Sequence, residues 1–212
     1  MKNLADFREE YKMGELHESE MIENPLEQFK LWMQNAIDNK LSEPNAMAVA
    51  TATPDGKPSL RVVLLKDLNE KGFVFFSNYQ SRKGKELEEN PHAAVVFDWH
   101  PIERQVRIEG RVEKLPAEES DLYFSARPQS SQIGAYVSPQ SEIVKDRDAL
   151  DQLYLEGVQR FAGKTVERPS YWGGYIVIPE VFEFWQGRTG RLHDRIVYRK
   201  TASGWKMYRL AS

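Results

Sequence analysis

The sequence contains no cysteine among its 212 residues and no long apolar run. The absence of cysteine excludes disulfides, cysteine-ligated iron–sulfur clusters and thiol nucleophiles, and it fits a reducing compartment. Nowhere do about eighteen apolar residues run together, and the opening stretch MKNLADFREEYKMG lacks the apolar core of a secretory signal. We therefore expect a soluble, cytoplasmic protein that does not bind a membrane.

An excess of positive charge is also missing. The chain has 29 Lys and Arg against 32 Asp and Glu, which gives a formal net charge of −3. This balance provides no general field to hold DNA, so we expect no nucleic-acid partner and only local cationic sites. The four histidines are isolated, without ligand spacing to one another or to a carboxylate pair, and this predicts no metal site.

Several common catalytic motifs are absent. The chain has no G-x-G-x-x-G and no P-loop, which argues against a dinucleotide or triphosphate cradle of the usual kind. It also has no G-x-S-x-G, so a serine-nucleophile triad is unsupported. What the chain has instead is a set of separate cationic and hydroxyl clusters, and such clusters suit phosphorylated small molecules.

The pattern of apolar residues predicts one mainly β domain with helices. A helix begins at Asn24-Pro25-Leu26-Glu27, which supplies an N-cap, a proline in the first turn and a glutamate three residues after the cap. Alternating patterns predict strands at 46–53, 58–66, 72–78, 92–99, 104–115, 171–179, 180–187, 195–200 and 204–210. Helical patterns lie between them at 81–90, 116–126, 130–136 and 145–163. This order favours an α+β fold built on an antiparallel β-barrel, over residues 24–212.

Residues 1–23 are predicted to form an N-terminal arm. Leu4, Phe7 and Tyr11 fall at helical spacing, so the arm either begins with a short amphipathic helix or is a mobile terminal segment.

Two clusters follow the early strands. Arg61 and Lys66 lie at the ends of the apolar run VVLL, and an ideal strand places them on opposite faces. A site using both needs a twist, a bulge or a ligand that wraps the strand end. Ser81-Arg82-Lys83 comes where a strand ends and a helix begins, where free N–H groups, a hydroxyl and two cations suit a phosphate. An ordinary capped surface helix explains this segment equally well.

Two further segments combine polar groups that suit a ligand. Tyr123 and Arg127 would share one face of a helix, and with Ser131 they suit a second anion, although a plain helix–loop–helix also explains them. In RQVRIEG, Gln105 alternates with apolar residues, which indicates a half-buried strand. The side-chain amide of Gln105 is then available to the polar edge of a bound ring.

The segment FWQGRTGRLHDR, residues 184–195, has the densest cluster of charge near aromatic residues. A surface hairpin needs one or two glycines, but it does not need three arginines, a histidine and an aspartate together. Arg191 and His193 would point the same way if this segment is extended. Arg188 has no assigned partner and is interpreted as a solvated loop residue.

These clusters together resemble a known family. The similar blocks, in order and spacing, are RVVLLK (61–66), FFSNYQSRK (75–83), ERQVRIEG (103–110), SARPQSSQIGAYVSPQS (125–141), SYWGG (170–174) and FWQGRTGRLHDR (184–195). They resemble the pyridoxine/pyridoxamine 5′-phosphate oxidase family over nearly the whole chain. The resemblance implies a split β-barrel of the FMN-binding type and a homodimer with FMN at its interface. It also implies oxidation of pyridoxine 5′-phosphate or pyridoxamine 5′-phosphate to pyridoxal 5′-phosphate, with O₂ as acceptor and H₂O₂ as product.

The resemblance also implies roles for individual residues. Arg191 and His193 would be catalytic and lie over the substrate ring. The residues implied for FMN are Arg61, Val62, Val63, Leu64, Leu65, Lys66, Phe76, Ser77, Arg82, Lys83, Gln105, Gln140, Ser141, Trp185 and Arg195. Those implied for the substrate are Lys66, Tyr123, Arg127, Ser131, Arg191, Leu192 and His193, with Arg8, Glu9, Glu10 and Tyr11 as a lid that closes when substrate is bound.

Two other functions remain open from the sequence, because the fold alone does not establish function. One is a different split-barrel flavin enzyme with an unphosphorylated substrate, which would have no use for the cluster of Tyr123, Arg127 and Ser131. The other is a non-catalytic FMN- or haem-binding module, in which Arg191 and His193 together would have no task.

Overall fold

The computed structural model describes residues 3–7 and 9–212, and over these residues it contains nine strands and five α-helices. The strands are β1 (Ala46–Ala52), β2 (Pro58–Leu64), β3 (Asp67–Leu68), β4 (Phe73–Asn78), β5 (His92–Trp99), β6 (Arg104–Lys114), β7 (Trp172–Gln186), β8 (Asp194–Thr201) and β9 (Gly204–Arg209). The helices are α1 (Pro25–Asp38), α2 (Arg82–Glu89), α3 (Ala117–Ser125), α4 (Gln129–Val137) and α5 (Arg147–Arg160).

All the strands belong to one antiparallel sheet in the order β2-β1-β5-β6-β7-β4-β3, with β8 and β9 added beside β7. β2 and β3 follow one another in sequence but lie at the two ends of this order, so the sheet curls without closing in the described residues. The mainly β architecture with added helices is as predicted.

β7 is a single strand of 15 residues, where the sequence predicted two. Pro179 lies in its middle, beside a bulge in β7. Glu109 and Gly110 are consecutive in β6 but pair with Val181 and Pro179, so Glu180 is the extra residue. The bulge depends on Gly110, because a Cβ there would overlap the carbonyl oxygen of Ile178. The first half of β7 pairs with β4 and the second half with β8, so this strand joins the two parts of the sheet.

Helix α1 packs its aromatic side chains into the curl of the sheet. Asn24 caps it as predicted, accepting from the N–H of Leu26 at 3.0 Å. The ring of Phe29 is fully buried, with its centroid 4.8 Å from those of Phe73 and Phe97. Edge-to-face aromatic pairs of this kind contribute about 0.5–1.5 kcal/mol each beyond their buried area. The main core therefore depends on α1.

A second, smaller core lies under helices α3, α4 and α5. Its buried side chains are Phe124, Ile133, Phe161, Val166 and Trp172. Trp172 begins β7, so this core attaches the helices to the sheet. Near the N-terminus, residues Leu4–Asp6 form a short 3₁₀ turn, and residues 9–11 are not helical, so the helix that the spacing allowed does not extend to Tyr11.

Candidate cofactor and substrate site

A cavity of about 830 Å³ lies between the ends of β2 and β4, the start of α2 and the helices α3 and α4. This volume is within the usual range for sites that bind small molecules. Fourteen of the predicted site residues line it: Arg61, Val62, Val63, Leu64, Lys66, Phe76, Ser77, Arg82, Lys83, Tyr123, Arg127, Ser131, Gln140 and Ser141. The structure thus brings together clusters that are far apart in the sequence.

Lys83 is the most deeply buried cation of the cavity. It lies in the first turn of α2, whose N-cap is Ser81, and its side chain is drawn inward. Its Nζ donates to the hydroxyl oxygens of Ser77 at 2.9 Å and Ser81 at 3.4 Å. Burial, and next the charge of Arg61, lowers the pKa of Lys83 to about 8. Because burial disfavours the charged form of Lys83, an anion bound beside it and the two hydroxyls would stabilise that charge.

Glu86 lies behind this cluster and was not predicted as a site residue. Its buried carboxylate accepts from Nε of Arg82 at 2.9 Å and lies 3.4 Å from Nη2 of Arg61, and it also accepts from the hydroxyls of Thr51 and Ser59. Burial by itself would raise the pKa of Glu86, but these hydrogen bonds lower it to about 2. The four-residue spacing from Arg82 on a helix was the signal that sequence reasoning missed.

A second cationic position faces the same cavity. Phe76, Tyr123 and Trp172 form a stack, in which the rings of Phe76 and Tyr123 are 3.7 Å apart and nearly parallel. The guanidinium of Arg127 lies 4.6 Å from the centre of the Trp172 ring. Its Nη1 is buried and has no hydrogen-bond partner among residues 3–7 and 9–212, and burial lowers the pKa of this side chain. Ser131 lines the cavity beside it.

The end of β2 allows both Arg61 and Lys66 to line the cavity. The strand stops at Leu64, and the N–H of Lys66 donates to the carbonyl of Val74 at 2.8 Å, so the chain has already turned towards β4. An ideal strand would place Arg61 and Lys66 on opposite faces, but Lys66 lies beyond the end of β2, so both side chains reach the cavity. Leu65 is an exception among the predicted cofactor residues, because its side chain is buried in the main core and does not line the cavity.

The loop after α4 closes over the end of β4. Oε1 of Gln140 accepts from the hydroxyl of Ser77 and from the N–H of Asn78, both at 3.3 Å. Ser141 follows with a left-handed backbone, at φ 74°. These contacts place Gln140 and Ser141 on the cavity wall, as their predicted role requires.

Five of the other predicted residues form a separate group, here called the Trp185 cluster: Tyr11, Gln105, Trp185, His193 and Arg195. The ring centroids of Trp185 and His193 are 4.7 Å apart, and Tyr11 meets both rings edge-on. Gln105 and Arg195 pair with Trp185 in the sheet, on either side. Trp185 lies thirteen residues along β7 from Trp172, which is about 40 Å of strand. One chain therefore carries the two parts of the predicted site at opposite ends of β7.

Three lid residues, Glu9, Glu10 and Tyr11, lie in the described part of the arm. Glu9 and Glu10 are exposed, whereas Tyr11 is half-buried against the Trp185 cluster. Arg8, the remaining residue predicted for the lid, lies outside the described residues.

The segment that carries Arg191 and His193 is not extended. The prediction that an extended backbone points the two side chains the same way is therefore wrong. Residues Thr189–Arg191 form a 3₁₀ turn in which Gly190 and Arg191 have φ near 64° and 63°. Arg191 and Leu192 are exposed, whereas His193 is half-buried. Burial, and next the charge of Arg191, lowers the pKa of His193, while Asp194 opposes the shift.

Arg195 is already paired by its own chain. Its Nε and Nη2 donate to the two carboxylate oxygens of Glu183 at 2.8 and 2.9 Å, and Nη1 donates to the carbonyl of Ala211 at 3.0 Å. The Glu183 hydrogen bond raises the pKa of Arg195. A bidentate pair of this kind fixes the plane of the guanidinium beside Trp185.

Arg188 is not a solvated loop residue, which corrects the prediction. Its Nη1 lies 3.0 Å from carboxylate oxygens of both Asp194 and Glu15. The buried Asp194 also accepts from the N–H of Leu16 at 3.0 Å and pairs with Arg209. These contacts join the arm to the loop before β8, and those with Glu15 and Leu16 were not predicted because the arm is distant in sequence.

The described residues contain neither a metal-binding group nor a membrane-spanning helix. In residues 3–7 and 9–212, no group of three or more His, Asp or Glu is placed to hold a metal ion. Over the same part of the chain, every helix is too short or too polar to span a lipid bilayer.

Comparison with known sequences identifies relatives over the full chain. A family model described as pyridoxamine 5′-phosphate oxidase matches residues 33–156, and one described as the pyridoxine 5′-phosphate oxidase C-terminal dimerisation region matches residues 172–212. A pyridoxine/pyridoxamine 5′-phosphate oxidase of Trichormus variabilis is 53% identical over 211 residues, which is 99% of both chains. The one of Salinibacter ruber is 54% identical and covers 100% of both chains.

Solved structures of similar fold support the fold of this chain. PhzG from Burkholderia lata 383, crystallised with tetrahydrophenazine-1-carboxylic acid, superposes with a TM-score of 0.87 at 31% identity, covering 93% of this chain and 98% of its own. A pyridoxamine 5′-phosphate oxidase-related, FMN-binding protein of Nostoc punctiforme has a TM-score of 0.68 at 14% identity, covers 86% of this chain and 96% of its own, and shows the fold alone. The predicted split barrel of the FMN-binding type is confirmed.

Proposed function

The chain belongs to the pyridoxine/pyridoxamine 5′-phosphate oxidase family, and we propose that it oxidises pyridoxine 5′-phosphate or pyridoxamine 5′-phosphate to pyridoxal 5′-phosphate. FMN is the cofactor and O₂ the electron acceptor. H₂O₂ is the second product, and the amine substrate also releases ammonia.

The buried Nη1 of Arg127 is the observation that carries this proposal. A buried charged donor without a partner is costly, and a phosphate oxygen would remove that cost. Tyr123, Ser131 and Lys66 line the same cavity and would supply further donors. An unphosphorylated substrate would leave Arg127 without its partner, which favours a substrate that carries a phosphate.

The other cationic corner suits the phosphate of FMN. Arg61, Arg82 and Lys83 line it, and Glu86 holds the two arginines in place. When bound, FMN supplies the two-electron oxidation, which no side chain of this chain can perform. The amide of Gln140 and the backbone after Val62 then offer donors and acceptors at the cavity wall to the remainder of the cofactor.

A homodimer would unite the two separated parts of the site. A two-fold interface places the same surface of each copy against the other, so the Trp185 cluster of one chain can meet the cavity of its partner. Leu60 and Val62 on the edge strand β2 are each 67% exposed at the cavity, as expected for a surface that another chain covers. Residues 172–212, which include Trp185, His193 and Arg195, match the dimerisation region. FMN therefore lies at the interface.

Arg191 and His193 orient the substrate ring in this arrangement. Nδ1 of His193 accepts from the N–H of Arg188, so Nε2 is the nitrogen available to the substrate. Arg191 adds a positive charge that an electron-rich ring substituent can approach. Tyr11 and the neighbouring arm residues close the open side.

A direct assay tests the proposal. The purified protein is mixed with FMN and pyridoxine 5′-phosphate in air, and pyridoxal 5′-phosphate and H₂O₂ are followed together. We expect both to form in equal amounts, at a much lower rate with unphosphorylated pyridoxine. A yellow protein that forms neither product would favour a binding module, whereas equal rates with and without the phosphate would favour a different flavin enzyme.

A further inference from the structure

Glu103 makes an unusual contact with the arm. One of its carboxylate oxygens, Oε2, accepts from the backbone N–H groups of both Lys12 and Met13, each at 2.8 Å. Hydrogen bonds to a carboxylate are stronger than those between neutral groups, and here two converge on one oxygen. Glu103 is thus a direct attachment point for a segment that is about ninety residues away in sequence.

The backbone of Glu103 is held in a conformation that suits this contact. It is left-handed, with φ 55° and ψ 36°, which glycine adopts freely and other residues rarely do. Its carbonyl accepts from the N–H of Gly187 at 2.8 Å and from Nε2 of Gln186 at 3.2 Å. The end of β7 therefore fixes the position from which the carboxylate reaches the arm.

The attachment places Tyr11 against the Trp185 cluster. Tyr11 directly precedes Lys12, and its ring meets those of Trp185 and His193 edge-on at 5.7 and 5.5 Å. The fit is close, since a Cβ on Gly187 would lie 2.6 Å from Cγ of Tyr11 and 3.1 Å from Cβ of Glu103. Small movements of the arm would thus change the surroundings of His193.

The arm has a second attachment of a different kind. The N–H of Leu16 donates to Asp194, which is buried and also pairs with Arg188 and Arg209. Leu16 is itself part of the main core. Residue 16 is therefore fixed firmly, whereas residues 11–13 depend on the carboxylate of the half-buried Glu103.

We propose that Glu103 is a positioning residue that latches the arm and holds Tyr11 against His193 and Trp185. This inference rests on the proposed function, in which His193 contacts the substrate. Because Tyr11 contributes to substrate binding only when it is docked, loss of the latch weakens binding of the substrate more than it slows the chemical step.

The test uses Glu103→Gly, which removes the carboxylate and also relieves the left-handed strain, so that the variant folds. Hydrogen exchange of a peptide spanning residues 9–15 is followed by mass spectrometry in the full chain with FMN. We expect exchange at residues 12 and 13 to accelerate about tenfold or more. Glu103→Gln, which keeps an acceptor oxygen, should restore part of the protection, and Glu109→Gln, on the strand β6 that follows Glu103, should change nothing.

Kinetics with pyridoxine 5′-phosphate provide the second measurement. We expect KM to rise roughly fivefold in Glu103→Gly with little change in kcat. Adding Tyr11→Ala to that variant should have no further effect, because the two residues act together. Unchanged exchange in Glu103→Gly would overturn the proposal, and so would faster exchange with unchanged KM. If the wild type itself forms no product, the proposed function fails, and the exchange data alone decide whether Glu103 holds the arm.

Discussion

The backbone N–H of Arg188 donates a hydrogen bond to Nδ1 of His193, with 3.1 Å between the two nitrogens. Nδ1 is therefore an acceptor, and the proton of the neutral ring lies on Nε2. The side chain of Arg188 pairs with Asp194 and Glu15, which keeps this loop in place. In the proposed function His193 would therefore offer a donor to the substrate, and the lone pair on Nδ1 would not serve as a general base in this geometry.

The first prediction concerns the protonation of His193. Its pKa is lowered, chiefly by burial, so the ring remains neutral as the pH falls through the ordinary value of 6.5. We expect nitrogen NMR shifts at pH 7–8 to show a neutral ring protonated at Nε2. A proton on Nδ1 at pH 8 would contradict this assignment. The neutral ring also favours the fold from pH 6.5 upwards, and this contribution is lost as the pH falls below that value.

Two substitutions separate the roles of the two ring nitrogens. His193→Gln places an amide near the position of Nε2, whereas His193→Asn places one near Nδ1. Because the substrate is expected to use Nε2, the Gln variant should retain roughly tenfold more kcat/KM than the Asn variant. The measurement is steady-state oxidation of pyridoxine 5′-phosphate. Equal losses in the two variants would show that the donor at Nε2 is not used.

The second prediction concerns Arg127. Since its Nη1 has no hydrogen-bond partner in the described part of the chain, Arg127→Met should remove little stability, within about 1 kcal/mol in urea unfolding. It should raise KM for pyridoxine 5′-phosphate about ten- to a hundredfold, while the slow oxidation of unphosphorylated pyridoxine is unchanged. Arg160→Met is the matched control, because Arg160 lies over Tyr136 outside the cavity. Equal loss with both substrates would show that Arg127 does not bind the phosphate.

Much of the fold was predictable because its signals are local. The cap at Asn24 and the apolar periodicity that follows it lie within one helix, and the alternation around Val106 and Ile108 lies within one strand. The continuity of β7 was not predictable, because Pro179 is tolerated only through a bulge whose glycine lies on the neighbouring strand. Tertiary context determined that element.

The candidate site also has a part that was predicted from the sequence and a part that was not. The residues of the cavity were predicted from the resemblance, and the order of the strands brings most of them together. The contacts of Arg188 and Glu103 were missed, because both residues pair with the arm, which is far from each of them in sequence. The turn at Arg191 was missed as well, since a positive φ at a residue other than glycine has no sequence signal.

The third prediction concerns the pH dependence of FMN binding. Lys83 has a pKa of about 8, so it is charged below pH 8 and loses its proton above it. A bound phosphate dianion favours the charged lysine, so binding of FMN takes up a proton at higher pH. The Kd for FMN should be constant near pH 7 and rise by up to about tenfold per pH unit above pH 8.

Fluorescence titration of the flavin between pH 7 and 9.5 measures this dependence. Lys83→Arg should remove it, because arginine stays charged throughout this range. Riboflavin, which lacks the phosphate, is the control ligand and should bind with little pH dependence. A Kd for FMN that stays flat up to pH 9.5 in the wild type would mean that Lys83 does not contact the phosphate.

The last prediction concerns Glu86 and acid stability. Its pKa is lowered to about 2 from the ordinary value of 4.5, because hydrogen bonds from Ser59, Thr51 and Arg82 outweigh the effect of burial. The ionised carboxylate therefore stabilises the fold above pH 4.5, and this contribution of about 3 kcal/mol is lost as the pH falls from 4.5 towards 2.

Glu86→Gln should remove that contribution, and it should destabilise the protein by about 3 kcal/mol at pH 7, because Arg61 is left without its buried counter-charge. Urea unfolding of the wild type and of Glu86→Gln at pH 7 and pH 3 measures this contribution. The other carboxylates titrate equally in the two proteins, so they cancel in the difference between their free energies of unfolding. The difference in free energy of unfolding should shrink as the pH falls. Glu142→Gln, which removes an exposed partner of Lys85, should give a small difference at every pH. If the curves of wild type and Glu86→Gln run parallel from pH 7 to 3, the carboxylate of Glu86 does not hold the two arginines.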